Sequence, residues 1–158
     1  MKVVTDSNVF FRAALGRKVG TASKLVIQLI RDGRIVSYTC DALMGEIGRI
    51  VKNDPKLSKI NNIYFQQFMD DIDDWLRYVP MKDLGHDQKI LNRIGNDRYL
   101  IAIARNTSAD FIITYDKDLI SMKSELKNDD IEVLTSEDFI ENLACPNFPK
   151  LFDNCHIY

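Results

Sequence analysis

Short β-branched runs alternate with helical segments along most of the chain, and this alternation restricts the fold more than any other feature of the sequence. Strands are predicted at residues 2–5, 34–38, 110–115 and 131–134, and the run "FIITY" in the third of these is typical of a buried strand. Helices are predicted at residues 21–33, 40–53, 58–79, 96–108 and 136–144, with Thr21, Thr39 and Ser58 as N-caps of the first three. Residues 81–95 are predicted to form a loop. Strand–helix alternation of this kind predicts an α/β fold, with a parallel sheet covered by helices on both faces.

The length and composition indicate one folded domain of the globular type. The chain has 158 residues, of which 46% are hydrophobic and 28% are charged. We assign residues 1–143 to the domain and residues 144–158 to an irregular C-terminal tail. No stretch approaches the roughly 20 apolar residues of a membrane span, and the N-terminus lacks a secretory signal pattern. Three scattered cysteines without a CxxC pair predict free thiols and a cytoplasmic location.

The net charge of −2 is unevenly distributed along the chain. Residues 1–52 contain nine Lys/Arg and four Asp/Glu, whereas residues 101–158 contain five Lys/Arg and eleven Asp/Glu. The N-terminal third could therefore contact a polyanion, although ordinary scatter of charge explains the asymmetry equally well.

Acidic residues stand where strands end or helices begin. Asp6 follows the first strand, Asp116 follows "FIITY", and Asp97 opens a helix. In a parallel α/β sheet, sites form beyond the carboxyl ends of the strands, so these acids are candidates for one site. Each acid also has a plain structural explanation, because Asp6 and Asp97 could cap helices and Asp116 could be a turn residue.

Glu46 is a fourth acidic candidate. At about 100° per residue, it lies on the border of the arc formed by Leu43, Ile47 and Ile50. This position predicts partial burial, and a partly buried carboxylate needs a partner. An arginine could be that partner.

The motifs together resemble the PIN-domain ribonucleases, particularly the VapC-like group of toxins from toxin–antitoxin pairs. The resemblance rests on "VVTDSNVFFRAALG" near the start, on the helix "CDALMGEIGRIV", and on "NDRYLIAIARNTSADFIITYDKDLI" at residues 96–120. It covers roughly residues 2–135 and implies a three-layer α/β/α fold with a central parallel sheet flanked by helices.

The resemblance also implies the site and its chemistry. The acidic site would be Asp6, Glu46, Asp97 and Asp116, with Asp6, Asp97 and Asp116 as ligands of Mg²⁺ or Mn²⁺. Carboxylate oxygens suit these ions, and such ions activate water for phosphodiester hydrolysis. The supporting residues would be Asn8, Thr114 and Asp118, and we assign RNA-phosphate contacts to Arg12, Lys18 and Arg98.

We therefore expect a metal-dependent endoribonuclease that acts as a toxin, with a small antitoxin as partner and homodimer formation left open. A housekeeping PIN nuclease that processes ribosomal or messenger RNA is the alternative within the same chemistry. A degenerate PIN domain that binds RNA or protein without cutting is the alternative from another class. A haloacid-dehalogenase-like phosphatase fits less well, because it requires Asp-x-Asp after the first strand and this chain has "DSN". A phosphoacceptor receiver domain fits less well too, since it requires an acidic pair near the first strand.

Overall fold

The computed structural model describes residues 1–16, 20–54, 57, 63–80 and 98–144. The strands are β1 (Lys2–Thr5), β2 (Val36–Thr39), β3 (Arg77–Tyr78), β4 (Phe111–Ile113) and β5 (Glu132–Leu134). The described helices are α1 (Ser7–Leu15), α2 (Ala22–Arg31), α3 (Asp41–Asn53), α4 (Ile63–Trp75), α5 (Arg98–Thr107), α6 (Lys117–Ser121), α7 (Lys123–Leu126) and α8 (Ser136–Ala144). A 3₁₀ turn, Lys127–Asp129, lies between α7 and β5.

The five strands form one sheet in the order β3-β2-β1-β4-β5, and every pairing is parallel. Val4 of β1 lies opposite Tyr38 on one side and Ile112 on the other. The chain order reverses direction between β1 and β4, which makes their carboxyl ends the topological switch point of the sheet. The predicted three-layer α/β/α fold with a central parallel sheet is confirmed.

The core lies on both faces of β1 and β4. Val3, Val4, Ile112 and Ile113 have no exposed surface, as expected for the central strands of a sheet that is covered on both sides. Helix α5 packs on β1, β2 and β4, whereas α2 packs between α1 and α8. This packing holds the loops after β1 and β4 in one place.

Four predicted strands are present, with ends that differ by up to two residues from the predicted bounds. The helix predicted at residues 58–79 is wrong at its C-terminal end, because α4 stops at Trp75 and Arg77–Tyr78 form the edge strand β3. There the backbone pairs with β2, and the Val79 amide donates to the carbonyl of Thr39 at 2.9 Å. Apolar spacing could not indicate this strand, since the sheet edge offers backbone hydrogen bonds that only tertiary structure supplies.

Two of the predicted helix caps also need correction. Thr21 occupies the N-cap position of α2, but its side chain makes no cap hydrogen bond. The N-cap residue of α3 is Cys40 and not Thr39. The predicted stop at Gly33 is confirmed, because α2 ends at Arg31 and Gly33 has a φ of +68°.

Other predicted features lie outside the described residues: the cap at Ser58, the loop at residues 81–95, and the tail from residue 145 onward. The domain boundary at residue 143 stays a prediction. In the part of the chain that the structure describes, no helix has the length and apolar character needed to cross a membrane.

Candidate active site

Asp6 lies at the switch point, directly after β1. It occupies the N-cap position of α1, but its side chain makes no cap hydrogen bond. Instead, Asp6 Oδ2 accepts hydrogen bonds from Asn8 Nδ2 at 2.6 Å and from Thr114 Oγ1 at 2.5 Å. Because Thr114 follows β4, these two bonds join the adjacent ends of β1 and β4. The helix-cap explanation of Asp6 is therefore wrong.

The carboxylate of Asp6 is buried, with 4% of the residue exposed. Burial raises its pKa, the hydrogen bond from Thr114 opposes that rise, and the nearby charge of Glu46 adds to it. The Oδ1 atom of Asp6 has weaker hydrogen-bond partners than Oδ2. Ser7 Oγ lies 3.3 Å from Oδ1, but it makes its shorter bond, of 2.8 Å, to Glu46 Oε1. One oxygen of a buried carboxylate thus keeps lone pairs for another partner.

Glu46 of α3 lies one hydroxyl group away from Asp6. Ser7 Oγ donates to Glu46 Oε1 at 2.8 Å, and the hydroxyl of Tyr99 donates to Glu46 Oε2. The predicted partial burial is confirmed. Among the described residues its partners are two hydroxyl groups, and the predicted arginine is not one of them.

Asp116 follows β4 and is joined to Asp6 through Thr114. The Asp116 amide donates to Thr114 Oγ1 at 2.9 Å, and Thr114 donates in turn to Asp6. Asp116 Oδ1 caps α6 by accepting from the amides of Asp118 at 2.8 Å and Leu119 at 3.0 Å. Its Oδ2 has no hydrogen-bond partner among the described residues. The exposed Asp118 contributes its backbone amide to this arrangement.

Two of the three cations assigned to RNA lie in the described part of the chain. Arg12 is exposed and lies one helical turn after Asn8 on α1, with its guanidinium 3.8 Å from the centre of the Tyr115 ring. Arg98 is exposed at the start of α5, directly before Tyr99. Lys18 and the acidic residue Asp97 lie outside the described residues.

The donor chemistry of these groups fits a hard divalent cation, because all the polar atoms of Asp6, Glu46 and Asp116 are oxygens. Within residues 1–16, 20–54, 57, 63–80 and 98–144, no three His, Cys, Asp or Glu side chains lie close enough to hold an ion. The described acids by themselves therefore do not make up a complete ligand set.

Sequence reasoning missed Ser7 and Tyr99, the two residues whose hydroxyls hold Glu46. Ser7 lies between Asp6 and Asn8 in the "DSN" motif, and this position is a local signal that could have indicated it. Tyr99 carries no local signal, since its contact depends on the packing of α5 against α3.

Comparisons with known proteins agree with this architecture. Residues 2–118 match the PIN domain family. A solved structure that resembles the chain is that of VapBC2 from Rickettsia felis, bound to a DNA fragment from their promoter. The likeness to one of its chains has a TM-score of 0.55 at 14% identity and covers 84% of this chain and 98% of that one. No curated protein matches. At that identity the structural likeness shows the fold alone, whereas the family match spans most of the chain, which therefore belongs to the PIN domain family.

Proposed function

We propose that this protein is a metal-dependent endoribonuclease that hydrolyses RNA phosphodiester bonds and acts as the toxin of a toxin–antitoxin pair. The observation that carries the proposal is the hydrogen-bonded connection of Asp6 to Asp116 through Thr114, at the switch point of a PIN-domain sheet. Ser7 Oγ donates to Glu46 Oε1 and lies 3.3 Å from Asp6 Oδ1, which places Glu46 beside the same connection. The carboxylates of Asp6 and Glu46 and the backbone amide of Asp116 thus lie in one place.

Asp6, Asp97 and Asp116 would hold Mg²⁺ or Mn²⁺, which would supply positive charge for the phosphate and lower the pKa of a coordinated water. The chain itself orients the ligands. Asn8 and Thr114 occupy Oδ2 of Asp6 and leave Oδ1 available, while the amides that cap α6 occupy Oδ1 of Asp116 and leave Oδ2 available.

Glu46 would orient the attacking water. Ser7 and Tyr99 hold one hydrogen bond to each of its oxygens, and each carboxylate oxygen has a second lone pair. A water that donates to such a lone pair would be placed next to Asp6. Arg12, Lys18 and Arg98 would bind the RNA backbone through its phosphates.

Cleavage assays on defined RNA oligonucleotides test the proposal. Attack by water predicts a 5′-phosphate and a 3′-hydroxyl product, no 2′,3′-cyclic phosphate, loss of activity in EDTA, and recovery with Mg²⁺ or Mn²⁺. Asp6→Asn, Asp97→Asn and Asp116→Asn should each lose most of the activity, and the losses should not add because the acids act as one unit. Asp74→Asn, an exposed position on α4, is the matched control and should cleave as wild type does. Full activity in all three site variants would refute the proposal.

A binding module without nuclease activity is the second candidate. It is favoured by the absence of a group of three ligand side chains among the described residues. RNA binding without cleavage, with Mn²⁺ demonstrably bound, would support this candidate instead.

The proposed antitoxin has a suitable surface on the other side of α1. A groove of about 250 Å³ between α1, α2 and α4 is lined by the apolar residues Ala13, Ile27, Phe68 and Trp75 and by the polar residues Lys24, Gln28 and Arg31. This combination suits a partner helix with an apolar face and acidic flanks. The likeness to a chain of the solved VapBC2 structure supports an antitoxin as the choice of partner.

The single tryptophan, Trp75, reports on occupancy of that groove. Titration with a small antitoxin-like protein encoded beside this gene should change the tryptophan fluorescence and inhibit cleavage. Phe68→Asp should weaken both effects, whereas Asp74→Asn, on the same helix, should not. Inhibition that is equally strong in Phe68→Asp would place the partner elsewhere.

A further inference from the structure

Tyr115 connects the acidic network to the nearest described cation. It stands between Thr114 and Asp116, and its backbone amide donates to Asn8 Oδ1 at 3.2 Å. The guanidinium carbon of Arg12 lies over its ring, 3.8 Å from the ring centre. Asn8 therefore orients Asp6 through its amide nitrogen and holds the Tyr115 backbone through its amide oxygen.

The ring of Tyr115 is fixed at its far end as well. Its hydroxyl donates to Glu137 Oε2 at 2.8 Å. Ser23 Oγ lies 3.0 Å from the hydroxyl oxygen of Tyr115. The segment after β4 and helices α2 and α8 thus hold one aromatic side chain. A carboxylate that accepts from the phenol also makes the ring richer in electrons, which strengthens its attraction for a cation.

Arg12 is an exposed side chain that this ring restricts. An arginine loses rotamer entropy when a ligand immobilises it, and a guanidinium already stacked on a ring loses less. Stacking uses the face of the guanidinium and leaves the N–H groups at its edge available. Within the described residues, Arg12 makes no ion pair that would occupy those groups.

We propose that Tyr115 is a positioning residue, which holds Arg12 so that its guanidinium binds a phosphate of single-stranded RNA beside the acidic network. This inference rests on the proposed function for its choice of ligand. The inference adds Tyr115 to the proposed site, with Glu137 as the residue that holds the Tyr115 hydroxyl, and local sequence indicates neither of them. Arg12 and Asn8 are one helical turn apart, about 5–6 Å between Cβ atoms, so the bound phosphate would lie next to Asp6.

The test measures binding of an unstructured RNA 12-mer to the full chain by fluorescence anisotropy over a salt series, in an Asp116→Asn background that prevents cleavage. Arg12→Gln should weaken binding about tenfold and reduce the slope of log K against log salt by about 1. Tyr115→Leu should weaken binding by a similar factor, and the double variant should lose little more, because both changes remove one contact. Tyr115→Trp should restore binding, since it keeps an aromatic face.

The control is Arg105→Gln, which removes an arginine in the last turn of α5 that pairs with Asp129 at 2.7 Å. It should bind RNA as the background protein does. Tyr115→Phe keeps the ring but loses the exposed hydrogen bond to Glu137, and it should show a partial loss of RNA binding with a melting temperature lowered by only about 2–4 °C. Additive losses in the double variant, or an unchanged salt slope in Arg12→Gln, would overturn the inference while the cleavage results stand. Normal cleavage by the three aspartate variants would overturn the proposed function and leave the phosphate contact in place.

Discussion

Replacement of Thr114 tests the connection between the two central strands most directly. Thr114 has no exposed surface, and its hydroxyl both donates to Asp6 at 2.5 Å and accepts from the Asp116 amide at 2.9 Å. Thr114→Val keeps the shape of the side chain and removes both bonds. Thr114→Ser keeps both bonds and removes one methyl group, so the two variants separate hydrogen bonding from packing.

The expected cost follows from the groups left without partners. A hydrogen bond to a charged group contributes about 1.5–3 kcal/mol, and an unsatisfied buried amide costs about 1–3 kcal/mol. Since Asp116 is only half-buried, water can serve its amide in part, and we expect Thr114→Val to lose about 2–5 kcal/mol of unfolding free energy. Thr114→Ser should lose about 1 kcal/mol for the buried methyl group.

Urea titration and thermal melts in EDTA measure both variants. At about 2–4 °C per kcal/mol for a chain of this size, Thr114→Val should melt about 4–20 °C below wild type. The difference in melting temperature between Thr114→Val and Thr114→Ser should become smaller as the pH falls through the raised pKa of Asp6, because a protonated carboxyl accepts a weaker hydrogen bond. Cleavage should follow the same order, with Thr114→Val losing most activity. A valine variant as stable as the serine variant would refute this account of the network.

Three further predictions concern residues around the same network. Asp6→Asn should raise the melting temperature at neutral pH in EDTA. Burial raises the pKa of Asp6 in the folded state above its value in the unfolded state. The stability that the protonated carboxyl contributes at low pH is therefore lost as the pH rises through the folded-state pKa, and asparagine avoids this loss. Millimolar Mn²⁺ should raise the melting temperature of wild type more than that of Asp6→Asn. Gly45→Ala and Gly48→Ala should each add about 0.5–1 kcal/mol to stability in urea titrations, because both glycines are helical and a Cβ there meets open space. Tyr99→Phe should cost about 1.5–3 kcal/mol in the same titrations by removing a donor to the Glu46 carboxylate.

Each of these has an outcome that would contradict it. Equal melting temperatures for Asp6→Asn and wild type in EDTA, together with equal shifts in Mn²⁺, would argue against a metal at Asp6. Destabilisation by either alanine would mean that α3 packs against something beyond the described residues. A Tyr99→Phe variant as stable as wild type would show that water replaces the hydroxyl at Glu46.

The strand–helix alternation was readable from the sequence because burial on both faces of a parallel sheet requires short β-branched runs such as "VVT" and "FIIT". The positions of Asp6 and Asp116 after those runs were readable for the same reason, since the strand determines where its last residue lies. The border position of Glu46 followed from helical periodicity alone.

Contacts between segments that are distant in the chain were decided by the tertiary structure. The two-residue strand β3 exists because β2 presents a free edge to it, and its own residues have no strand pattern. Tyr99 reaches Glu46, and Tyr115 reaches both Arg12 and Glu137, because helices from different parts of the chain pack beside the same strand ends. Side-chain periodicity reports which face of an element is buried, but it contains no information on which polar group of another element faces it. The sequence by itself therefore determined the four longer strands of the sheet and its acidic strand ends, whereas packing decided the edge strand β3 and which hydroxyls and which aromatic ring hold the charged groups there.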